Sequence, residues 1–244
     1  VFDPASFARD GFSVVSDVVG PAELSALIAA VEAIRPGGSA LDRAGQVYAS
    51  RNLLDDVPAV RDLSRSPGIR ALVEAVLGPG AFAVRGLLFD KTPGANWMVP
   101  WHQDLTIAVK ARVEAPGFGP WTVKAGVPHV RPPVGVLERM LTVRVHLDAD
   151  DPARGPLRVI PGSHRDGRLG ALETQAWLER VAAVTCLVPR GGALVMSPLL
   201  LHASSTSADE SHHHRRVVHL EFAADSLPHG LEWNEPSDSE VATR

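Results

Sequence analysis

The sequence predicts a mainly β protein with flanking helices, of the α+β class, on three observations. In the first eighty residues, apolar positions recur at helical spacing. Beyond Gly80 the texture changes to short strand-like runs separated by Gly and Pro. In one of these runs, "LTVRVHLD" over 141–148, apolar and polar residues alternate with period two.

Taken in order, Pro21 opens a stretch in which Leu24, Leu27, Ile28, Val31 and Ile34 share one helical face, and Pro36-Gly37-Gly38 stops it. Ser66-Pro67 reads as an N-cap followed by proline at the first helical position. Ile69, Leu72, Val73, Val76 and Leu77 form the apolar stripe of this second helix, and Gly78 ends it. Both helices are amphipathic, so each must cover something, and a sheet is the natural partner. Strands are expected over 81–90, 141–147, 157–160, 184–188, 193–196 and 216–223, with one further helix within 170–182. The Gly- and Pro-rich segment 110–133 has no clear period and reads as a lid or binding loop. In "LTVRVHLD", Val143, Val145 and Leu147 point one way and Thr142, Arg144 and His146 the other. The polar face is either solvated or the wet interior of a small barrel.

The 244 residues are 45% hydrophobic and 21% charged, the balance of a globular protein rather than a disordered one. A formal charge of −4 gives no basic footprint for nucleic acid, and no apolar run is long enough to span a bilayer. One cysteine, Cys186, excludes an internal disulfide framework and a multi-cysteine zinc site. No charged-then-apolar leader stands at the start, so the cytoplasm is the expected compartment. Lacking repeats or linker composition, the chain reads as one domain over 1–244. It is helix-rich to about 80, has a β core over about 81–224, and ends in a loose polar tail from about 234. Oligomeric state is not legible.

The chemistry begins at "VPWHQDLTI", where His102 and Asp104 lie one residue apart. His-x-Asp alone is a weak signal. "ALVMSPLLLHASS" supplies a second imidazole, His202, at the end of an apolar run. Two imidazoles and one carboxylate fill one face of an octahedron and leave three positions open, as in non-haem Fe(II) oxygenases. A chelating 2-oxo acid takes two of these and O2 the third. The far carboxylate of that acid needs a cation, best an arginine fork. "HHHRRVVHLEF" offers Arg215 and Arg216, expected on the strand neighbouring His202, and alternation lets only one of them face inward.

"WHQDL", "GPLRVIPGSHR", and "LLLHASS" followed by "RRVVHLEFA" resemble the phytanoyl-CoA dioxygenase family of Fe(II)- and 2-oxoglutarate-dependent oxygenases. The opening "FARDGFSVVSDVVGPAELSALIAAVE" is similar to that family's N-terminal region, so the resemblance runs from about Phe2 to Leu231. It implies a double-stranded β-helix, a cupin-like jelly roll with helices outside. It implies His102, Asp104 and His202 as iron ligands. The 2-oxoglutarate arginine, counted back seven residues from Phe222, falls on Arg215. Ser204 matches a position that hydrogen-bonds the co-substrate, and Thr142 and Arg144 lie on the strand lining its pocket. Ala203 departs from a commoner glycine. The carboxylate of Asp104 excludes the halogenases of this fold, which lack it. Hydroxylation of an unactivated carbon, with release of succinate and CO2, is the expected outcome. Desaturation, epimerisation and cyclisation run from the same site and stay open.

Other residues weigh less. His212, His213 and His214 cannot all face one ion from an extended chain and read as a polar loop. His164 reads as a structural hydrogen bond, and Gly191-Gly192 as a turn. Gln103, Lys91, Trp121 and Lys124 are candidate substrate contacts, with Trp97 and Trp101 near the same mouth. Arg144, Lys124, Arg131 and Arg139 point to an anionic small-molecule substrate. Two alternatives remain: a non-catalytic metal- or ligand-binding barrel, and a zinc hydrolase or isomerase on the same three residues. Arg215 argues against the second, which needs no 2-oxo acid clamp.

Overall fold

The computed structural model describes residues 2–43, 45–91, 95–207 and 214–234. Helix α1 (Pro4–Asp10) starts at an Asp3 side chain that accepts from the Ala5 and Ser6 amides, and stops at Gly11, which has a positive φ of 81°. Strand β1 (Phe12–Val15), α2 (Pro21–Glu32), β2 (Ala40–Arg43) and β3 (Gln46–Ser50) follow. Three helices then run almost without a break: α3 (Leu53–Asp56), α4 (Pro58–Arg65) and α5 (Pro67–Leu77). The expectation of helix alone up to residue 80 is therefore corrected: β1, β2 and β3 belong to the main sheet. Their runs are too short for a period to stand out beside the helices. Ser66 is the N-cap residue of α5 by position, yet its hydroxyl makes no capping bond.

The β-rich part contains β4 (Phe82–Lys91), β5 (Val99–His102), β6 (Ile107–Ala108), β7 (Trp121–Lys124), β8 (Val127–Val130) and, after the turn α6 (Val134–Leu137), β9 (Met140–His146). Then come β10 (Leu157–Val159), α7 (Ala171–Arg180), β11 (Val184–Thr185), β12 (Ala193–Met196), β13 (His202–Ser204) and β14 (Arg215–Ala223). Two sheets carry the fold. One has the order β1-β12-β9-β14-β4-β3-β2, the other β11-β10-β13-β5, and every pairing is antiparallel. Together they form a double-stranded β-helix with helices outside.

Alternation decides what each face of the large sheet meets. Val143, Val145 and Leu147, with Val218, Leu220 and Phe222, pack against Leu24, Leu27, Leu63, Ile69 and Val73 of the helices. The opposite faces of the same strands turn toward the second sheet. Leu157, Val159, Val188, Leu194 and Met196 fill one part of that interior with apolar side chains. The remainder is a polar cavity, so Arg144 lies in a wet interior rather than on a solvated face.

The segment 110–133 is not a plain loop. Within it β7 and β8 form a hairpin whose two-residue turn, Ala125-Gly126, takes positive φ at both positions (48° and 79°). β8 also pairs with β6, making a third small sheet at the cavity rim. Among the described residues no helix is long and apolar enough to cross a membrane. His212, His213 and the tail beyond Asn234 lie outside the described residues.

Candidate metal centre and active-site cavity

β5 and β13 pair so that His102 and His202 stand opposite one another, their ring centroids 4.1 Å apart. The approach to His202 differs from a single apolar strand. β12 ends at Met196, the chain turns through Pro198, and His202 opens the next strand. Asp104 follows β5 and is held there by its amide, which donates to Pro198 O at 2.9 Å. Its two carboxylate oxygens lie 3.7 Å from His102 Nε2 and 3.7 Å from His202 Nε2.

The local hydrogen bonds fix the tautomers. His102 Nδ1 donates to Pro100 O at 2.9 Å and His202 Nδ1 to Leu200 O at 2.8 Å. Each ring therefore presents a bare Nε2 lone pair to the point between them, the orientation a metal-ligating histidine needs. Burial pushes His202 down to about 4, against the pull of Asp104, which keeps the ring neutral. Burial alone would raise Asp104, but His202, His219, His102 and Arg144 around it hold it at about 2. The three residues offer two imidazole nitrogens and one carboxylate, with ligand atoms within 4.8 Å of one another. Asp104 Oδ2 is buried with no hydrogen-bond partner, an arrangement that a cation would satisfy. The donor set fits a divalent iron.

The cavity in front of this triad has a volume of about 280 Å³. Its floor is a cross-strand ladder. Arg85, Leu87, Phe89 and Lys91 of β4 face inward, as do Arg215, Val217, His219 and Glu221 of β14, and the register sets Lys91 opposite Arg215 and Arg85 opposite Glu221. Lys91 Nζ donates to Ser204 Oγ (3.0 Å) and Ser205 O (2.6 Å). Burial, reinforced by Arg215 and Arg144, pushes Lys91 down to about 7. Arg215 is 5% exposed, with Nε 3.4 Å from Asp150 Oδ1. Arg144 donates to His219 Nδ1 at 2.9 Å, and His219 Nε2 in turn donates to Glu221 Oε1 at 3.3 Å. At the other end of the ladder Arg85 pairs with Glu221 at 2.9 Å.

Of the residues expected at the site, the structure brings together His102, Asp104, His202, Ser204, Arg215, Arg144, Lys91, Lys124 and Trp97. Arg216 points the other way, onto Asp148 and Glu32. Arg215 does not sit on a neighbour of β13; it reaches in from the opposite sheet. Six other expectations are corrected. Gln103 spends its amide on the backbone: Nε2 donates to Gly167 O (2.8 Å) and Leu199 O (2.6 Å), and Oε1 accepts from Leu169 N (2.8 Å). Trp121 packs on an apolar cluster under Arg112 and is not part of the lining. Thr142 shares the inward face of β9 but is fully buried between Met196 and Glu221, short of the cavity. Trp101 stacks under Arg158, with Ile160, Trp177 and Leu201 around it. Arg139 is paired with Asp225 at the surface, and Arg131 is not in the lining. His164 Nε2 reaches Ala8 O at 3.3 Å, the structural bond expected of it, and His214 pairs with Asp90 at 2.7 Å. Arg51, Arg85, His219 and Glu221 were not expected. Period two counted back from Lys91 finds Arg85, and counted on from Arg215 finds His219 and Glu221; nothing in the sequence points to Arg51.

Residues 7–217 match the model of the Phytanoyl-CoA dioxygenase (PhyH) family. An ectoine dioxygenase from Nocardia farcinica (strain IFM 10152) is 28% identical over 173 residues, covering 66% of this chain and 50% of that protein. The chain thus spans about half the length of the curated relatives it matches. A crystal structure of EctD from S. alaskensis with 2-oxoglutarate and 5-hydroxyectoine superposes with a TM-score of 0.69 at 19% identity, over 91% of this chain and 74% of that one. The non-heme alpha ketoglutarate dependent carbocyclase SnoK from nogalamycin biosynthesis gives 0.68 at 16% identity, over 97% and 92%. These two likenesses speak for the fold, and the family match speaks for more: the chain belongs to the phytanoyl-CoA dioxygenase family.

Proposed function

We propose that this chain is an Fe(II)- and 2-oxoglutarate-dependent dioxygenase that hydroxylates an unactivated carbon of a small molecule. The observation that carries the reading is the pair of Nε2 lone pairs and the Asp104 carboxylate converging on one point, with a buried Arg215–Lys91 pair in the same cavity. His102, Asp104 and His202 would hold the metal. Arg215, with Lys91 and Ser204, would take the far carboxylate of 2-oxoglutarate, which neutralises two cations that otherwise repel. Arg144 closes the buried side of the same cavity.

Iron in this site would supply the activation of O2, so that one oxygen atom enters succinate and the other the product, with CO2 released. The protein's part is positioning. Leu87, Phe89 and Val217 pack the ladder between its charged ends and exclude water from the reacting region. Gln103 ties the His102–Asp104 segment to the chain before His202 through Leu199 O, which fixes the separation of the ligands. The EctD structure with 2-oxoglutarate and the carbocyclase of the same fold support an oxygenase and leave hydroxylation and ring closure as outcomes decided by how substrate is held.

The test is turnover of 2-oxoglutarate. Protein supplied with Fe(II), O2 and 2-oxoglutarate is expected to release succinate and CO2 in equal amounts, slowly alone and faster with a substrate. Asp104→Ala should abolish both. Metal-dependent turnover of some other kind, with 2-oxoglutarate untouched, would overturn the proposal.

A further inference from the structure

The cavity wall carries six cations, Arg51, Arg85, Lys91, Lys124, Arg144 and Arg215, against two carboxylates, Asp104 and Glu221. Asp104 belongs to the metal centre, and Glu221 is engaged by Arg85. The cations fall into two groups. Arg144 and Arg215 are deeply buried and repel Lys91. Arg51 and Lys124 are half-buried and group instead with Arg85. Lys91 and Arg85 lie six residues apart on β4, roughly 20 Å at a strand's rise per residue. One co-substrate carboxylate cannot serve both ends.

The second group is built, not incidental. Arg51 follows β3, and Lys124 closes β7 on the rim hairpin, 73 residues later. The next residue after Arg51, Asn52, donates from Nδ2 to the carbonyl of Ala125, the residue after Lys124, at 3.2 Å. This single bond staples the two cation-bearing segments together. Lys124 Nζ has a hydroxyl neighbour, Thr106 Oγ1 at 3.3 Å, and among the described residues neither Arg51 nor Lys124 forms an ion pair with a carboxylate. Burial lowers both pKa values, and Arg85 adds repulsion to each. Arg51, Phe89 and Trp97 are also shared with an adjoining depression of about 390 Å³, so Arg51 stands where the cavity opens outward.

We propose that Arg51 and Lys124, with Arg85 behind them, bind an anionic group of the oxidised substrate, making that substrate a small carboxylic acid or phosphate monoester. The inference rests on the dioxygenase reading. An arginine fork and a lysine point charge together suit either anion, and the separation along β4 leaves the carbon to be oxidised between this group and the co-substrate end.

The test uses the full chain loaded anaerobically with Fe(II) and saturating 2-oxoglutarate. The probes are small carboxylic acids, each beside its primary amide, and phosphate monoesters, each beside its parent alcohol. Binding is read by thermal shift and by perturbation of the visible iron–2-oxoglutarate band. Acids of one arm are expected to bind while their neutral counterparts do not, and the responding arm identifies the anion. Arg51→Gln and Lys124→Gln should each weaken those acids by roughly tenfold, with the 2-oxoglutarate dependence of the band unchanged. The inference is overturned if no acid binds, if neutral and acidic partners bind alike, or if the two variants weaken 2-oxoglutarate instead. Absence of the band in wild-type protein would overturn the dioxygenase reading itself, which separates the two failures.

Discussion

Lys91 of β4 and Arg215 of β14 stand directly opposite one another in the antiparallel register, and both nearly buried side chains end in the same cavity. Like charges set opposite across a ladder are destabilising. Asp150 beside Arg215 offsets part of that repulsion, and a dicarboxylate co-substrate would offset the rest.

Arg215→Ala should therefore weaken 2-oxoglutarate by at least about thirtyfold, the lower end for truncating one partner of a buried, hydrogen-bonded charge pair. Arg216→Ala should leave that affinity alone. It should instead lower stability by about 2 kcal/mol, since Arg216 donates to Asp148 through Nε and Nη2 at 2.9 and 2.8 Å. Titration of both variants, beside chemical denaturation, separates the neighbours. Equal effects on 2-oxoglutarate would contradict the assignment.

Lys91 makes stability depend on pH in a defined direction. Burial, then Arg215 and Arg144, bring it from 10.5 to about 7 in the folded chain. Between these values the unfolded chain binds the extra proton, so this group makes stability rise with pH from about 7 toward 10.5. Lys91→Met should flatten that rise in protein free of co-substrate and raise its melting temperature near pH 7. The same variant should bind 2-oxoglutarate roughly tenfold more weakly, and wild-type affinity should fall as pH passes 7. Melting curves at several pH values that superpose in slope for both proteins would refute this.

Gln103 tests the bracing of the metal centre. Its replacement by Leu removes three hydrogen bonds to backbone groups of Gly167, Leu169 and Leu199. About 2–3 kcal/mol of stability should be lost, and metal affinity should drop by roughly tenfold or more. Calorimetric Fe(II) or Co(II) binding at a temperature where the variant stays folded gives the answer; unaltered affinity would make Gln103 a purely structural residue.

How far the sequence reaches is clearest at these residues. The convergence of His102, Asp104 and His202 is legible because few residue types suit a metal and their order along the chain is informative. Alternation says only that one of Arg215 and Arg216 faces inward; the family's count from Phe222 favours Arg215, the one that lines the cavity. Thr142 and Trp121 show the limit: alternation gives the face of a strand but not the depth along it, and Thr142 points inward beyond where the cavity ends. Gln103 reads from the sequence as a substrate contact, because the segments that bond its amide lie sixty to a hundred residues away and follow no local pattern. Arg51 is not legible for the same reason, as β3 becomes a strand only by pairing with β2 and β4.

Gly68 offers a check on the packing of α5. In an open helix Gly→Ala stabilises by roughly 0.5–1 kcal/mol. Here a Cβ would lie 2.3 Å from the Val18 carbonyl oxygen, which is backbone and cannot swing aside. Gly68→Ala should destabilise by about 1–3 kcal/mol. A raised melting temperature would mean that α5 sits farther from the β1–α2 connection.

The most direct test of the central claim is an anaerobic titration of metal-free protein with Fe(II) and then 2-oxoglutarate, following the weak visible charge-transfer band of a chelated 2-oxo acid. The account predicts a band in the wild-type protein, none in His202→Ala, and a midpoint shifted to much higher 2-oxoglutarate in Arg215→Ala. Tight metal binding with no band at any concentration of 2-oxoglutarate would contradict it and point to a zinc or non-catalytic site on the same three residues.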